Sequence, residues 1–515
     1  MSKLQISQSL RVSSDVTNAV LKLSGSRDLD VFLDNAYMCG DLLILIYGFR
    51  SRSNNAKDVY ILVVNMSFGM VVASYHIPYR FVSEQLNMNS IYNFILPKPL
   101  SFISGNKIAL YYIGEEQQIL KLLVYYIDLL SGKESVNIVD VREWLGKNKK
   151  DEFGYLTPKI KLPSSCYYDS ISHKSVELPL CDNFGQVSRI IRPDGDQTLS
   201  ECFWVRTFML DPDNLNNMQT FDYDIRSVST MNMVAYSVDK TYPWIFVVDA
   251  TKQLFTRDRN FTIHRSPIFL TPINLKGEYF CVQLPPVWVS SGGIEAEVIF
   301  GDVNYGYSEN GNLVITMPGL NYYSSPFLLG SKDFNDLILI INKDKYTCDC
   351  YLTSSYSFLN EIKKFDCGVR VNIKDEPYML LVSTHVNDYY RLRRHAWAVG
   401  NDFGVSCQGL VSLNTGQVFS CHDYPSVSLP AIPNDPTSPG ELTYITECDV
   451  PEHFVVIRGN FKGPEKGRYT LESDIFLISV SPNISMKEYN NKYAASSSQD
   501  QIIVENRKFI THDFT

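Results

Sequence analysis

The sequence predicts an all-β protein assembled from copies of one antiparallel meander. Three observations predict it. Runs of four to six apolar residues recur along the chain, each followed by a turn residue and a second β-rich run. A further apolar run, often closed by glycine, precedes most copies. Helical periodicity is sparse.

The copies are VYILVVNMSFGMVVASY turning near Asn65, LLVYYIDLLSGKESVNIV near Asp128, WIFVVDATKQLFTRD near Asp249, LILIINKDKYTCDCYL near Asn342, GLVSLNTGQVFSCHD near Asn414 and IFLISVSPNISMKEY near Ser481. The apolar run reads as a buried strand. Asn, Asp and Gly tolerate the left-handed backbone of a tight turn, so the second run folds back beside the first. The preceding runs are Leu42–Gly48, Ile108–Gly114, His395–Gly400 and Phe454–Gly459, with weaker examples at Met233–Lys240 and Phe327–Gly330. The unit is therefore strand, glycine-containing loop, strand, turn, strand, with a fourth strand supplied by the variable stretch between units.

The turns lie 63, 121, 93, 72 and 67 residues apart. The widest gap has room for another copy around Asp169, and the 93-residue gap for one around Asp302 to Gly311. One added copy gives seven units of about 69 residues and two give eight of about 59, longer than compact propeller repeats and so implying long loops. Asp140–Lys147 and Tyr356–Lys364 carry the only helical signals, and Pro430–Gly440 is a stiff proline-rich connection.

From about residue 35 to 490 this unit resembles the β-propeller superfamily, loosely in the manner of kelch and WD repeats. The kelch paired glycine occurs only at Gly292-Gly293, out of phase, and the Gly-His and Trp-Asp of WD repeats do not recur, so no specific family is identified. The resemblance implies a single propeller of seven or eight four-stranded antiparallel blades. Segments 1–34 and 491–515 would flank it, each offering a ring-closing strand, at residues 3–12 or 501–510. The alternative architecture is a tandem array of β-sandwich or jelly-roll domains, which also yields many short strands.

Composition bounds the function. With 45% apolar and 20% charged residues the chain is globular. A net charge of −9 argues against a general polyanion binder, so nucleic acid is not an expected partner. The most apolar stretch, Val59–Ala73, is interrupted by Asn65, Ser67 and Gly69 and is too short to span a membrane. The N-terminus alternates polar and apolar residues rather than forming a signal-peptide core. The eleven scattered cysteines show no CxxC spacing and read mostly as small buried hydrophobes. The expectation is a reducing, cytoplasmic or nuclear location, in which the sequons at Asn65, Asn260 and Asn483 carry no glycan.

Chemical motifs are weak. Gly463–Thr470 has the wrong glycine spacing for a phosphate loop, and Gly404–Gly409 places its second glycine one position late for a nucleophile elbow. Cys348, Cys350, Cys367 and His385 supply four zinc-type ligands, although Cys-x-Cys on a strand is usually structural. Asp211–Asp224 reads as a solvated acidic loop rather than a calcium site, because it lacks the EF-hand glycine. Glu295 and Glu297 share a strand face, as either a glycosidase pair or a solvent-facing edge would. No cofactor is expected.

The candidate recognition residues are Tyr389, Arg391, Arg393, Arg394 and Trp397, where arginines and aromatics on one strand face suit an acidic or phosphorylated peptide. Tyr322 and Tyr323, with Tyr305–Tyr307, add aromatic contact surface in loops rich in Asn, Gly and Ser. The leading expectation is a non-enzymatic protein-binding scaffold. The alternatives are a propeller hydrolase acting on glycans and a structural multi-domain β protein.

Overall fold

The computed structural model describes residues 4–24, 29–51, 57–87, 100–104, 107–116, 119–140, 158–161, 178–191, 197–211, 214–226, 232–239, 242–248, 268–272, 278–283, 297–300, 304–307, 312–317, 319–322, 337–342, 347–352, 362, 365–385, 404–421, 425–430, 442–489 and 502–506. These residues form antiparallel strands with two short helices, Thr17–Ser24 and Tyr79–Leu86.

The strands pair as successive meanders. The first sheet runs Leu29–Cys39, Leu42–Ser51, Lys57–Asn65, Met70–Ile77, and the second Leu100–Ser104, Lys107–Glu116, Ile119–Asp128, Glu134–Asp140. The third runs Pro158–Lys161, Leu178–Ile191, Gln197–Asp211, Asn214–Arg226. Smaller pairings follow between 232 and 283. The 304–352 sheet joins Asn304–Tyr307, Asn312–Met317, Leu337–Asn342 and Thr347–Leu352. The 367–421 sheet joins Cys367–Ile373, Glu376–His385, Gly404–Ser412 and Val418–Cys421, and the last sheet joins Leu442–Glu447, His453–Glu465 and Arg468–Val480.

The apolar runs are continuous because the middle strands bury both faces. Successive side chains on a strand point opposite ways. In the first sheet Leu43, Leu45, Tyr47 and Phe49 pack with Val455, Ile457 and Ile475 of the last sheet. Their neighbours Ile44 and Ile46 pack with Ile108, Leu110 and Leu123 of the second. Val455 and Ile457 alternate with Phe454 and Val456, which join Leu380, Val382 and Val405 of the 367–421 sheet. Met379 and Leu381 turn the other way, onto Val314, Ile338 and Ile340 of the 304–352 sheet. The packing thus runs from the 304–352 sheet through the 367–421 sheet to the last, and from the second to the first, and the last lies on the first. Their first strands also adjoin: Tyr444 Oη donates to Asn35 Oδ1 at 2.6 Å and Thr446 Oγ1 to the Ala36 carbonyl at 3.2 Å. A tandem sandwich would pack each sheet on one partner only.

The turns at Gly40, Asn65, Asp128, Lys374 and Gly416 lie at one end of the sheets, while the hairpin Glu465–Arg468 turns at the other. Asn65 Oδ1 accepts the Phe68 N–H at 2.9 Å, and Asp128 Oδ1 accepts those of Leu130 and Ser131. Gly69 and Gly416 complete two such turns at φ of 64° and 73°. Because a meander reverses at every strand, the connections 78–99, 141–157, 353–366, 386–403 and 422–441 all attach at the opposite end.

The structure corrects several expectations. Residues 302–311 begin no separate unit, since Asn304–Tyr307 and Asn312–Met317 pair into the sheet of the Asn342 copy. Tyr305–Tyr307 accordingly lie in a strand, not a loop. Asp211–Asp224 is not a loop, because Gln197–Asp211 and Asn214–Arg226 pair as a long hairpin. The strand beside Gly404–Ser412 is Glu376–His385, not His395–Gly400, and Leu337–Asn342 takes Asn312–Met317, not Phe327–Gly330. The run after Ser481 does not fold back on its own sheet. Met486–Glu488 pairs with Val418–Cys421, because the N-terminal strand Leu4–Asp15 already occupies the edge of Arg468–Val480. Ile502–Asn506 pairs with Glu278–Gln283. Trp244–Val248, the first run of the Asp249 copy, lies in the strand Tyr242–Val248 and pairs with Asn232–Asp239, as the sequence expects of Met233–Lys240. Residues 141–147 and 356–361, the turns at Asp169 and Asp249, and Pro-rich 431–440 lie outside the described residues.

A charged row fastens the N-terminal strand. Arg11, Asp474 and Arg458 sit opposite one another across three strands. Asp474 accepts from Arg11 at 2.6 and 3.1 Å and from Arg458 at 3.1 Å, and the Arg458 guanidinium lies 5.4 Å from the Phe476 ring centroid. Burial pushes the Asp474 carboxyl up, but the two arginines outweigh it and hold it below its ordinary value. Arg458 is 1% exposed and Arg11 57%. Asp474→Asn should therefore cost about 3–5 kcal/mol by taking a carboxylate charge away from the buried guanidinium, and Arg11→Ala less than about 1 kcal/mol, read as urea midpoints. The folded carboxyl titrates below its unfolded value. Its contribution is present above the unfolded pKa and lost as pH falls through the folded one, so the wild-type and Asp474→Asn midpoints should converge in acid.

Candidate functional site

The densest polar cluster among the described residues lies in the first sheet, at the end where the long connections attach. Asp30, Phe32 and Asp34 stand on its first strand. Asp30 is opposite Arg50, which is opposite Lys57. Arg50 binds Asp30 at 2.9 Å and Lys57 binds Asp34 at 2.7 Å. Both cations lie over the Phe32 ring, 5.2 and 5.7 Å from its centroid. The register shifts between Leu33 and Asn35, so Asp34 is the extra residue of a bulge, the device that re-aims a side chain.

Gly48 explains why the preceding apolar run ends in glycine here. A Cβ at this position would stand 2.3 Å from Lys57 Cε and 2.5 Å from Asp34 Oδ2. The missing side chain makes room for the ion pair over the strand. Asp34 and Lys57 are 10% and 9% exposed, so each charge depends on the other.

Next to this pair on the chain, Asp58 uses both oxygens. Oδ1 accepts the Tyr79 N–H at 2.8 Å at the start of the second helix, and Oδ2 contacts His76 Nε2 at 2.7 Å. The helix N-terminus suits a carboxylate. Tyr79 is pushed up to about 12 by burial. From the second sheet comes Tyr112, whose buried hydroxyl makes no hydrogen bond. Burial, then the negative charges of Asp58 and Asp34, drive its pKa far up, so it stays protonated and can only donate to an anion. The Asp34–Lys57 and Asp58–His76 pairs thus lie at one end of the first sheet, and Tyr112 feels the charge of both carboxylates.

This cluster went unread in the sequence. Its one signal is the alternation Asp30, Phe32, Asp34; its partners depend on strand register. The residues singled out from sequence, Tyr389, Arg391, Arg393, Arg394, Trp397 and Tyr323, lie outside the described residues, as does Glu295. Tyr322 ends the strand Gly319–Tyr322 and is opposite Glu297. The zinc-type set is split: Cys348 and Cys350 belong to the 304–352 sheet, Cys367 and His385 to the next. Among the described residues no group of three or more His, Cys, Asp and Glu could hold a metal, and no helix is long and apolar enough to cross a membrane.

No family model matches the chain, and no curated protein matches it. Among solved structures it is similar to the β-propeller domain of the Trilobed protease from Pyrococcus furiosus, at 10% identity over 91% of this chain and 98% of that one, with a TM-score of 0.31. It is also similar to a polysaccharide lyase, at 8% identity over 86% and 90% of the two chains and a TM-score of 0.36. An acylaminoacyl peptidase from Pyrococcus horikoshii aligns at 10% identity over 90% of this chain and 52% of its own length, with a TM-score of 0.33. Likenesses this distant carry no argument about activity, and the fold rests on its own strand pairing.

Gly48→Ala should shift the unfolding midpoint down by the equivalent of about 2–4 kcal/mol, because the new methyl must displace the buried ion pair. In the Lys57→Ala background the same change should cost much less. A double-mutant cycle reads that difference directly; equal costs in both backgrounds would show that the pair does not need the space.

Proposed function

We propose that the sheets form one closed ring of seven blades, and that the chain is a non-enzymatic scaffold that grips another protein. The observation that carries this reading is that the long connections 78–99, 141–157, 353–366, 386–403 and 422–441 all attach at one end. A rigid frame with variable loops at one end suits recognition. Seven blades follow if the strands between 232 and 283 make one blade. The ring closes if the pairing of Leu4–Asp15 with Arg468–Val480 and the packing of the last sheet on the first complete a circle.

The proposed binding residues are Tyr389, Arg391, Arg393, Arg394 and Trp397, in the connection between Glu376–His385 and Gly404–Ser412, with Tyr322 and Tyr323 in the corresponding connection of the preceding sheet. Both connections attach at the same end. The partner we propose is an acidic or phosphorylated peptide segment of another protein, met in the cytoplasm or nucleus, without membrane insertion or nucleic acid.

A second reading, a hydrolase acting on glycans, is favoured by Asp34, Asp58, His76 and Tyr112 gathered at that same end.

An array of acidic and phosphorylated peptides separates the two. The scaffold reading expects selective binding that falls at least about tenfold, 1.4 kcal/mol, in Arg391→Glu/Arg393→Glu at an unchanged unfolding midpoint. Binding to no peptide, or equal binding by the variant, would sink it. Glycan cleavage lost in Tyr112→Phe, which removes only a hydroxyl that makes no hydrogen bond, with the midpoint retained would replace it by the hydrolase.

A further inference from the structure

Cys407 and Cys421 are both fully buried, and their sulfurs lie 3.2 Å apart. They belong to adjacent strands of the 367–421 sheet, Gly404–Ser412 and Val418–Cys421. Regular pairing would set Gln408, not Cys407, opposite Cys421, since Gly409 faces Ser420. The strand is bulged there: Leu381 faces Gly409 and Val382 faces Cys407, which leaves Gln408 as the extra residue. The bulge carries Cys407 into the place across from Cys421. Both side chains then enter the core shared with the last sheet, beside Val382, Leu410 and Phe476.

We propose that Cys407 and Cys421 are a disulfide-forming pair, a covalent modification site that staples the outer hairpin of the 367–421 sheet. From 3.2 Å the sulfurs need to approach by only about 1.2 Å to reach the bonded distance of about 2.05 Å. The oxidant is a small-molecule disulfide of the glutathione class. The Cys407 thiolate attacks one of its sulfurs, forming a mixed disulfide and expelling one thiolate. The Cys421 thiolate then attacks the Cys407 sulfur, expelling the second. Two protein thiols become one disulfide, the reagent is reduced to two thiols, and the two protein protons pass to them. Burial, then the neighbouring Cys421, pushes the Cys407 thiol well up, so exchange proceeds through local opening or during folding rather than in the closed sheet.

The test uses the full-length protein held in glutathione buffers of reducing and oxidising poise, both as folded protein and through a cycle of unfolding and refolding in urea. Free thiols are blocked with iodoacetamide under denaturing conditions. Disulfides are then reduced and labelled with N-ethylmaleimide, and each cysteine is read by mass spectrometry. At oxidising poise Cys407 and Cys421 should carry the maleimide together, and at reducing poise both should carry the first label. Without reduction, chymotryptic cleavage after Leu410 and Phe419 should leave the two cysteine peptides joined. In Cys421→Ser, Cys407 should revert to the first label. If that variant does not fold, the peptide linkage in the wild type decides alone. First label on both cysteines at every poise and after refolding would overturn the proposal, as would either cysteine joined to a different partner.

Discussion

The structure depends on one constraint: each middle strand must satisfy two cores at once. Leu45 and Ile46 are consecutive residues, both essentially without solvent, yet they belong to different interfaces. The same holds for Val455 and Val456, and for Leu380 and Leu381. A one-residue slip of register would exchange every residue between the two cores. The sheets therefore hold their neighbours in register, and the last sheet packs on the first. The N-terminal strand completes the last sheet, and the row Arg11, Asp474, Arg458 fixes it there.

Dense packing on both faces confines polar chemistry to places where the rule is relaxed. Asp34 escapes the pleat through a bulge, and the absent side chain of Gly48 lets Lys57 lie down beside it. Cys407 reaches Cys421 because Gln408 bulges out of register. Bulges are where strands re-aim side chains, and in this chain two of them assemble reactive groups that a regular ladder would separate.

The fold was legible where its cause is local. Continuous runs such as Val59–Val64 announce two buried faces, and Asn65 and Asp128 announce turns because their side chains bond the backbone a few residues on. The N-terminal strand shows its single buried stripe as plain alternation. Choices between distant partners were not legible. His395–Gly400 and Tyr378–Val382 are both apolar runs that precede Gly404–Ser412, and the folded register selects the second as its neighbour. The Asp30, Phe32, Asp34 cluster stayed hidden for the same reason: its meaning comes from Arg50 and Lys57 lying opposite one another on two later strands. The arginine- and tyrosine-rich 389–397 is visible in sequence and lies outside the described residues, so its role rests on the topology of the strands it joins.

Double-mutant cycles at the consecutive residues Val455 and Val456 probe the two-faced packing most directly. Val455→Ala should couple with Leu45→Ala by at least about 0.5 kcal/mol and add to Leu380→Ala within about 0.3 kcal/mol, while Val456→Ala should show the reverse. Coupling of both valines to the same sheet, or to neither, would contradict the stacked order from which everything else follows.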